Sequence, residues 1–474
     1  MMRLIKTVFL MLLFPLLMIG QDLSDQVILK LLKERSTNPS VFSVHAYDIT
    51  NNEELIQYRA DEYMIPASSL KVITTFSAMD ILGETFKFKT EIGYSGTIEG
   101  DGTLSGNVII KGSGDPSLGT SREELGKTQE DPIKIIIDVI KDAGIKCIDG
   151  SIIIDISRVD DGGAHPGWPW SDVGNYYGAG VHALNIYENE YSIHFNRNGG
   201  IDSQTTIAYT DPNIPGLSFN NEVKVAGPNT GDNAYIYGGE GFYHKIIKGT
   251  IPSGKGTFSI RGSIPDPPTF LAESLSNSLI ENGISHQGSK VSSSTSPFKV
   301  IKSIESKPLM DLISIANEKS INLYCEAFLR SISEEGSWEG AIDELYTHLH
   351  SIGMDTLSIL QKDGSGLHPR NVLTSRFFTS FLSYYYNLWG EKALEMLPRA
   401  SHEGTVRRLL RNKKSNGKAW LKSGYIGGVL TYTGYIKTVD NDIIAISIMT
   451  NNFSQPISKI RGMCEEIIDK IYQG

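Results

Sequence analysis

Hydrophobic and polar positions follow regular periods at both ends of the chain and lose that regularity in the middle. Leu23–Lys33 has apolar spacing compatible with a helix. Val41–Ile49 and Leu55–Tyr58 flank Asn51-Asn52, which predicts two strands and a turn. Val72, Ile73, Phe76, Met79, Ile81 and Leu82 then recur at helical spacing, predicting a helix that starts near Ser68 and stops at Gly83. From about residue 86 to 265 the texture is short β-rich segments and turn signals such as Gly112-Ser113-Gly114-Asp115-Pro116. Helical patterns return from about Thr269, around Leu309–Ser333 and over Val372–Leu388. Gly428–Thr438 and Ile443–Thr450 predict a hairpin turning at Asp440-Asn441-Asp442. Ile457, Ile460, Cys464, Ile467 and Ile471 mark one face of a closing helix. The economical arrangement is one α/β domain built from both ends, with the β-rich middle inserted into it.

The first twenty residues interrupt this globular pattern. Arg3 and Lys6 precede an apolar run, Val8–Ile19, broken only by Pro15, and Gly20 leads into polar Gln21-Asp22. That reads as a signal peptide over residues 1–20. The run is shorter than the roughly 20 residues of a membrane span, and no later stretch is apolar enough, so no transmembrane anchor is expected after cleavage. Across the 474 residues, 44 Lys and Arg face 54 Asp and Glu, a net charge of −10 that argues against nucleic acid as a partner. Cys147, Cys325 and Cys464 allow at most one disulfide. No C-x-x-C or H-E-x-x-H spacing occurs, so neither a metal site nor a cofactor is expected.

The candidate chemistry begins with a failure: there is no G-x-S-x-G elbow and no P-loop. S-x-x-K occurs at Ser68/Lys71, Ser296/Lys299 and Ser415/Lys418. Pro297 and Asn416-Gly417 argue against a helix at the last two. Only Ser68/Lys71 opens an apolar-periodic helix, where side chains three apart share a face. Read alone, Ser68 is as compatible with an ordinary helix cap as with a nucleophile. S-x-N recurs at Ser36/Asn38, Ser218/Asn220 and Ser320/Asn322, and K-[S/T]-G occurs once, at Lys422-Ser423-Gly424. The force lies in the order: S-x-x-K, S-x-N and K-S-G on a helix, a helix start and a strand edge.

With these motifs the chain resembles the penicillin-binding-protein and serine β-lactamase superfamily. More narrowly, it resembles the D-alanyl-D-alanine carboxypeptidase/endopeptidase family of class C low-molecular-mass penicillin-binding proteins, peptidase family S13. The likeness extends to Pro166-Gly167-Trp168-Pro169-Trp170, Tyr176-Tyr177-Gly178-Ala179-Gly180, Asp363-Gly364-Ser365-Gly366-Leu367 and Gly404-Thr405-Val406-Arg407-Arg408. More than half the chain separates Lys71 from Ser320, and a large insert at this place is characteristic of that family.

The resemblance implies a β-lactamase/transpeptidase-like α/β domain, an antiparallel sheet flanked by helices, over residues 22–80 and 265–474. The insert would form one domain over 81–184 and 256–264, with a second nested at 185–255. It implies a Ser68 nucleophile, a Lys71 base kept partly neutral by desolvation or by the charge of Lys422, and a proton relay through Ser320. Asn322 would orient Lys71 or the substrate amide, and Lys422 and Ser423 would bind the substrate's terminal carboxylate. Gly424 belongs to the same motif, and backbone N–H groups of Ser68 and Tyr425 would form the oxyanion hole. Asp155, in Ile154-Asp155-Ile156-Ser157, matches a family aspartate that contacts the free amine of the peptide's diamino acid, although Ile156 and Val159 depart from the usual pattern. The aromatics Trp168, Trp170, Tyr176 and Tyr177 read as packing, and Cys325 as a buried small residue. The implied partners are peptidoglycan peptides, with β-lactams as covalent inhibitors, in the periplasm or envelope of a bacterium. A serine β-lactamase or esterase, and an inert cell-wall-binding homologue, are the alternatives.

Overall fold

A computed structural model of the protein describes residues 40–125, 131–159, 162–294 and 297–474. The signal segment, the helix expected over Leu23–Lys33 and the Ser36/Asn38 pair lie outside these residues. The chain opens with β1 (Val41–Asp48) and β2 (Glu53–Tyr58), then a 3-10 turn, Ala67–Leu70, that runs directly into α1 (Lys71–Leu82). The middle contributes β3 (Lys89–Ile98), β4 (Thr103–Gly112), α2 (Pro132–Asp142) and β5 (Ile152–Asp155), then six short strands between Glu190 and Ser263. It ends with α3 (Pro267–Glu281), β6 (Ser289–Ser292) and β7 (Lys299–Glu305). Helices α4 (Leu309–Lys319), α5 (Asn322–Ile332), α6 (Trp338–Ser351) and α7 (Ser375–Trp389) follow. Strands β8 (Ala419–Ile426), β9 (Val429–Lys437) and β10 (Ile443–Asn451) and helix α8 (Ile457–Gln473) close the chain.

Both ends of the chain meet in one five-stranded antiparallel sheet of order β8-β9-β10-β1-β2. Every residue of β10 is buried, because helices cover both faces of the sheet. Successive side chains point to opposite faces: Ile444, Ile446 and Ile448 pack toward α8, whereas Ala445 and Met449 face the core shared by α1, α5 and α7. Lys71 through Met79 are all buried, so α1 is a central helix rather than the one-faced helix its apolar spacing suggests. Its polar side chains are satisfied internally: Thr74 Oγ1 donates to the Gly364 carbonyl (2.7 Å), and Asn317 donates to Thr75 Oγ1 (3.1 Å).

The inserted region has its own sheet, ordered β6-β5-β4-β3-β7, with α2 and α3 packed on it. Expectation and structure differ here. Pairing of β6 with β5 and of β7 with β3 keeps residues 267–305 in the insert, so the outer domain resumes at Leu309, not at 265. Leu271, Leu275 and Leu279 of α3 join the core of Val108, Ile136 and Ile152. The nested unit consists of two three-stranded sheets, and strand 257–263 pairs with strand 190–196, so residues 256–264 belong with the nested unit. No helix among the described residues is long and apolar enough to cross a membrane.

Candidate active site

The turn that carries Ser68 is held by residues of two strands, β9 and β10. Asn451, at the end of β10, accepts from Ile65 N–H (2.7 Å) and donates to the Ile65 carbonyl (3.1 Å). Thr431 of β9 donates to the Pro66 carbonyl (2.8 Å) and lies 2.7 Å from Ser69 Oγ. Ala67 takes a left-handed φ of 47°, a conformation a non-glycine residue holds only when its surroundings enforce it. Ser68 is therefore no N-cap: Pro66 occupies that position, without a side-chain cap, and the Ser68 hydroxyl is left for other work.

Lys71 follows one helical step later and is fully buried. Its Nζ lies 3.1 Å from Ser68 Oγ and donates to Asn322 Oδ1 (2.6 Å) and to the Ser365 carbonyl (2.7 Å). Asn322 is the first residue of α5, and its amide donates to the Tyr177 carbonyl (2.7 Å), which fixes the face offered to Lys71. Ser320 ends α4 in a left-handed conformation, φ 61°. That turn between two helices aims its hydroxyl at Lys422, whose Nζ donates to Ser320 Oγ (3.0 Å) and to the Ser423 carbonyl (2.8 Å).

Lys422, Ser423 and Gly424 lie in β8, a strand absent from the sequence reading and the edge of the outer sheet. Leu421 N–H donates away from the sheet, to the Pro398 carbonyl (3.0 Å). By alternation, the backbone groups of Ser423 and Tyr425 also face outward from this edge. Gly424 is required by proximity: a Cβ there would stand 2.4 Å from the Pro66 carbonyl and 2.3 Å from Thr431 Oγ1. Ser423 Oγ donates to Thr405 Oγ1 (2.7 Å), and the Tyr425 side chain is exposed.

Burial sets the electrostatics. Desolvation lowers the Lys71 ammonium below its ordinary range, against the opposing influence of Cys325, Asp363 and Glu326. Desolvation lowers Lys422 further, assisted by the charge of Lys71. Both ammoniums are thus lowered chiefly by burial, and their mutual repulsion adds to that direction. Cys325 is fully buried, free and pushed up to about 12, as its desolvation requires.

Two acidic residues support this arrangement: Glu326, which the sequence reading does not single out, and Asp363, which it quotes only within Asp363-Gly364-Ser365-Gly366-Leu367. Glu326, one turn after Asn322 on α5, accepts from Gly364 N–H (2.9 Å), Ser365 N–H (2.8 Å) and Trp338 Nε1 (3.1 Å). It thereby places the Ser365 carbonyl that Lys71 uses. Desolvation, with repulsion from Asp363, raises the Glu326 carboxyl above the usual carboxylate range. Asp363 accepts from Trp168 Nε1 (2.8 Å), which makes Trp168 a packed and hydrogen-bonded core residue. Trp170 instead lies exposed against Phe242, and Tyr176 is covered by the Arg261 guanidinium at 3.8 Å.

Asp155 is fully buried at the end of β5, and its carboxylate accepts from Ser157 N–H (2.8 Å) in a local turn. The structure thus places it in the wall of the inserted sheet, apart from the Ser68 and Lys422 clusters. Among the described residues no cluster of His, Cys, Asp or Glu could hold a metal ion.

The sequence matches the D-Ala-D-Ala carboxypeptidase 3 (S13) family over residues 25–465. The chain belongs to this family. It is thereby a serine-type carboxypeptidase by class. Among its relatives, the D-alanyl-D-alanine carboxypeptidase of an Actinomadura species is 24% identical over 454 residues, covering 90% of this chain and 80% of that one. D-alanyl-D-alanine carboxypeptidase DacB of Haemophilus influenzae is 25% identical over 434 residues, covering 86% of this chain and 85% of that one. The crystal structure of H. influenzae penicillin binding protein 4 shares the fold, with a TM-score of 0.81 at 22% identity over 94% of this chain and 99% of that one. The expected S13 membership, the α/β transpeptidase-like class and the β-rich additional regions therefore hold.

Proposed function

We propose that this protein is an exported serine peptidase that hydrolyses D-Ala-D-Ala termini and peptide cross-links of peptidoglycan through a Ser68 acyl-enzyme, and that β-lactams acylate the same serine. The observation that carries this reading is the hydrogen-bond geometry of Lys71. A neutral amine has two N–H bonds and one lone pair. Asn322 Oδ1 and the Ser365 carbonyl take the two donors, which leaves the lone pair for the Ser68 hydroxyl proton. The burial that lowers Lys71 favours that neutral form.

In this mechanism Ser68 Oγ attacks the scissile carbonyl and its proton passes to Lys71. The oxyanion is received by backbone N–H groups of Ser68 and Tyr425, each such donor being worth roughly 3 kcal/mol of barrier. The Ser320 hydroxyl accepts from Lys422, so its own proton is available to the leaving nitrogen. Lys422 and Ser423 hold the terminal carboxylate at the sheet edge. Water then enters in place of the leaving group and hydrolyses the ester. H. influenzae penicillin binding protein 4 has been crystallised with a β-lactam, which supports the same use of this fold here. Export rests on the basic and apolar pattern of residues 1–20.

A fluorescent penicillin tests the reading, applied to wild type and to Ser68→Ala and followed by denaturing gel. A label that persists on wild type and is absent from the variant is expected, together with D-Ala release from a pentapeptide. Labelling followed by fast loss would instead make the protein a β-lactamase. No label on folded protein would sink acyl-enzyme chemistry.

A further inference from the structure

Beside Ser320 and Asn322 lies an open cleft of about 590 Å³, the size of a small-ligand site. Its charge runs against that of the molecule. Overall the chain is acidic, at −10, yet Arg122, Arg261, Lys319, Arg407, Arg408 and Arg461 line this cleft against only Glu190 and Glu318. Three of these cations are held by carboxylates: Arg122 by Glu188 (2.6 Å), Arg261 by Glu190 (2.6 Å), and Lys319 by Glu124 (2.8 Å) and Glu318 (2.7 Å). Arg407 and Arg408 are exposed and form no ion pair with any described residue. They follow Thr405, whose hydroxyl accepts from Ser423, the group assigned above to the terminal carboxylate. The unpaired positive charge therefore begins two residues beyond the partner of Ser423, in a cleft also lined by Ser320, the residue assigned above to the leaving nitrogen.

We propose that the cleft is a leaving-group subsite for a D-amino acid or peptide that carries a second carboxylate beyond the one held at Ser423. The inference rests on the acyl-enzyme reading. Arg407 and Arg408 are the residues that receive the extra charge, while Arg261, laid over Tyr176 and paired with Glu190, also lines the cleft. Release of a lone D-Ala leaves these two guanidiniums without a partner. Release of an acidic residue uses them, so the site distinguishes an extended anionic leaving peptide from a single D-Ala. Charge at an open site acts over a short screened range, so the selection is moderate and falls with salt.

Three acyl-D-Ala-D-Xaa peptides with the same acyl part test this, with D-Glu, its neutral isostere D-Gln, or D-Ala as the released residue. Wild type is expected to cleave the D-Glu peptide roughly five- to tenfold faster in kcat/KM than the D-Gln peptide at low salt, and the ratio to fall as salt rises. In the Arg407→Gln/Arg408→Gln double variant the ratio should approach one, with penicillin labelling and D-Ala release unchanged. Lys414→Gln, a basic residue outside the cleft, should leave the ratio as in wild type. Equal cleavage of D-Glu and D-Gln peptides by wild type would overturn the proposal. So would a preference that survives the double variant or falls equally with Lys414→Gln. Loss of penicillin labelling and of all peptide release in wild type would instead overturn the acyl-enzyme reading, and this subsite with it.

Discussion

Lys71 in the outer domain and Lys245 in the nested unit are both withdrawn from solvent, and burial lowers both ammoniums, Lys245 to about 7. Their surroundings differ. Lys245 Nζ donates to the Ser263 carbonyl (2.7 Å) and hydroxyl (3.3 Å) beneath the Tyr191 ring, and that hydroxyl already donates to the Val173 carbonyl (2.8 Å). The Ser263 hydroxyl proton is therefore already committed. Lys71 instead has two fixed acceptors and a serine whose hydroxyl is otherwise uncommitted. Desolvation makes a lysine basic in its neutral form near neutral pH, but placement decides whether that basicity reaches a nucleophile.

The largest effect that could break this contrast is Lys71→Met, expected to slow penicillin acylation on the order of a thousandfold. In wild type the acylation rate should rise with pH through an ionisation below the ordinary lysine value of 10.5, because the neutral amine is the base. A variant that acylates at the wild-type rate would remove Lys71 from the mechanism. Gly424→Ala should come next, at about a hundredfold, since its Cβ would force the edge strand off the nucleophile turn. Circular dichroism would separate that displacement from unfolding.

Glu326→Gln should slow acylation less, on the order of tenfold, and destabilise by about 1–3 kcal/mol, because the new amide faces N–H donors where the carboxylate accepted them. Urea titration beside the acylation rate checks both. Lys245→Met should leave acylation within about twofold, as replacement of a buried charge by an apolar side chain of similar shape is commonly tolerated. Its signature lies in stability. The Lys245 pKa is about 7 folded and ordinarily 10.5, so between those values the unfolded chain binds more protons, and wild-type stability rises with pH. The Met variant should lose that component of the slope between pH 7 and 10; denaturation curves with identical slopes would contradict the assignment.

Legibility in the sequence divides along the same lines. Strands β1, β9 and β10 show as apolar runs because both faces are covered, α8 shows through its one covered face, and β2, with only Ile56 buried, shows through the Asn51-Asn52 turn before it. Ser68, Lys71, Ser320, Asn322 and Lys422 show through spacing, and the fold brings all five together. Strand β8 did not show, because it buries Lys422 and Gly424, residues that ordinarily mark a loop. The limit at 265 was misplaced because β6 and β7 are half-exposed edge strands with weak apolar signal, so only α3 was visible there. Lys71's third neighbour is a backbone carbonyl, which no residue type announces. Glu326 left one clue: it lies four residues after Asn322, on the same helix face. Asp155 shows in the sequence only as a strand-end acid, a pattern that looks alike whether it faces a ligand or is buried, as here.

The pairing of Val41 with Asn451 joins the first described strand to the last. Because Asn451 also clamps Ile65, beside the nucleophile turn, the site cannot be assembled from any N-terminal fragment, however long, that stops short of β10. One residue of β10 thus both closes the outer sheet on β1 and holds the turn that carries Ser68.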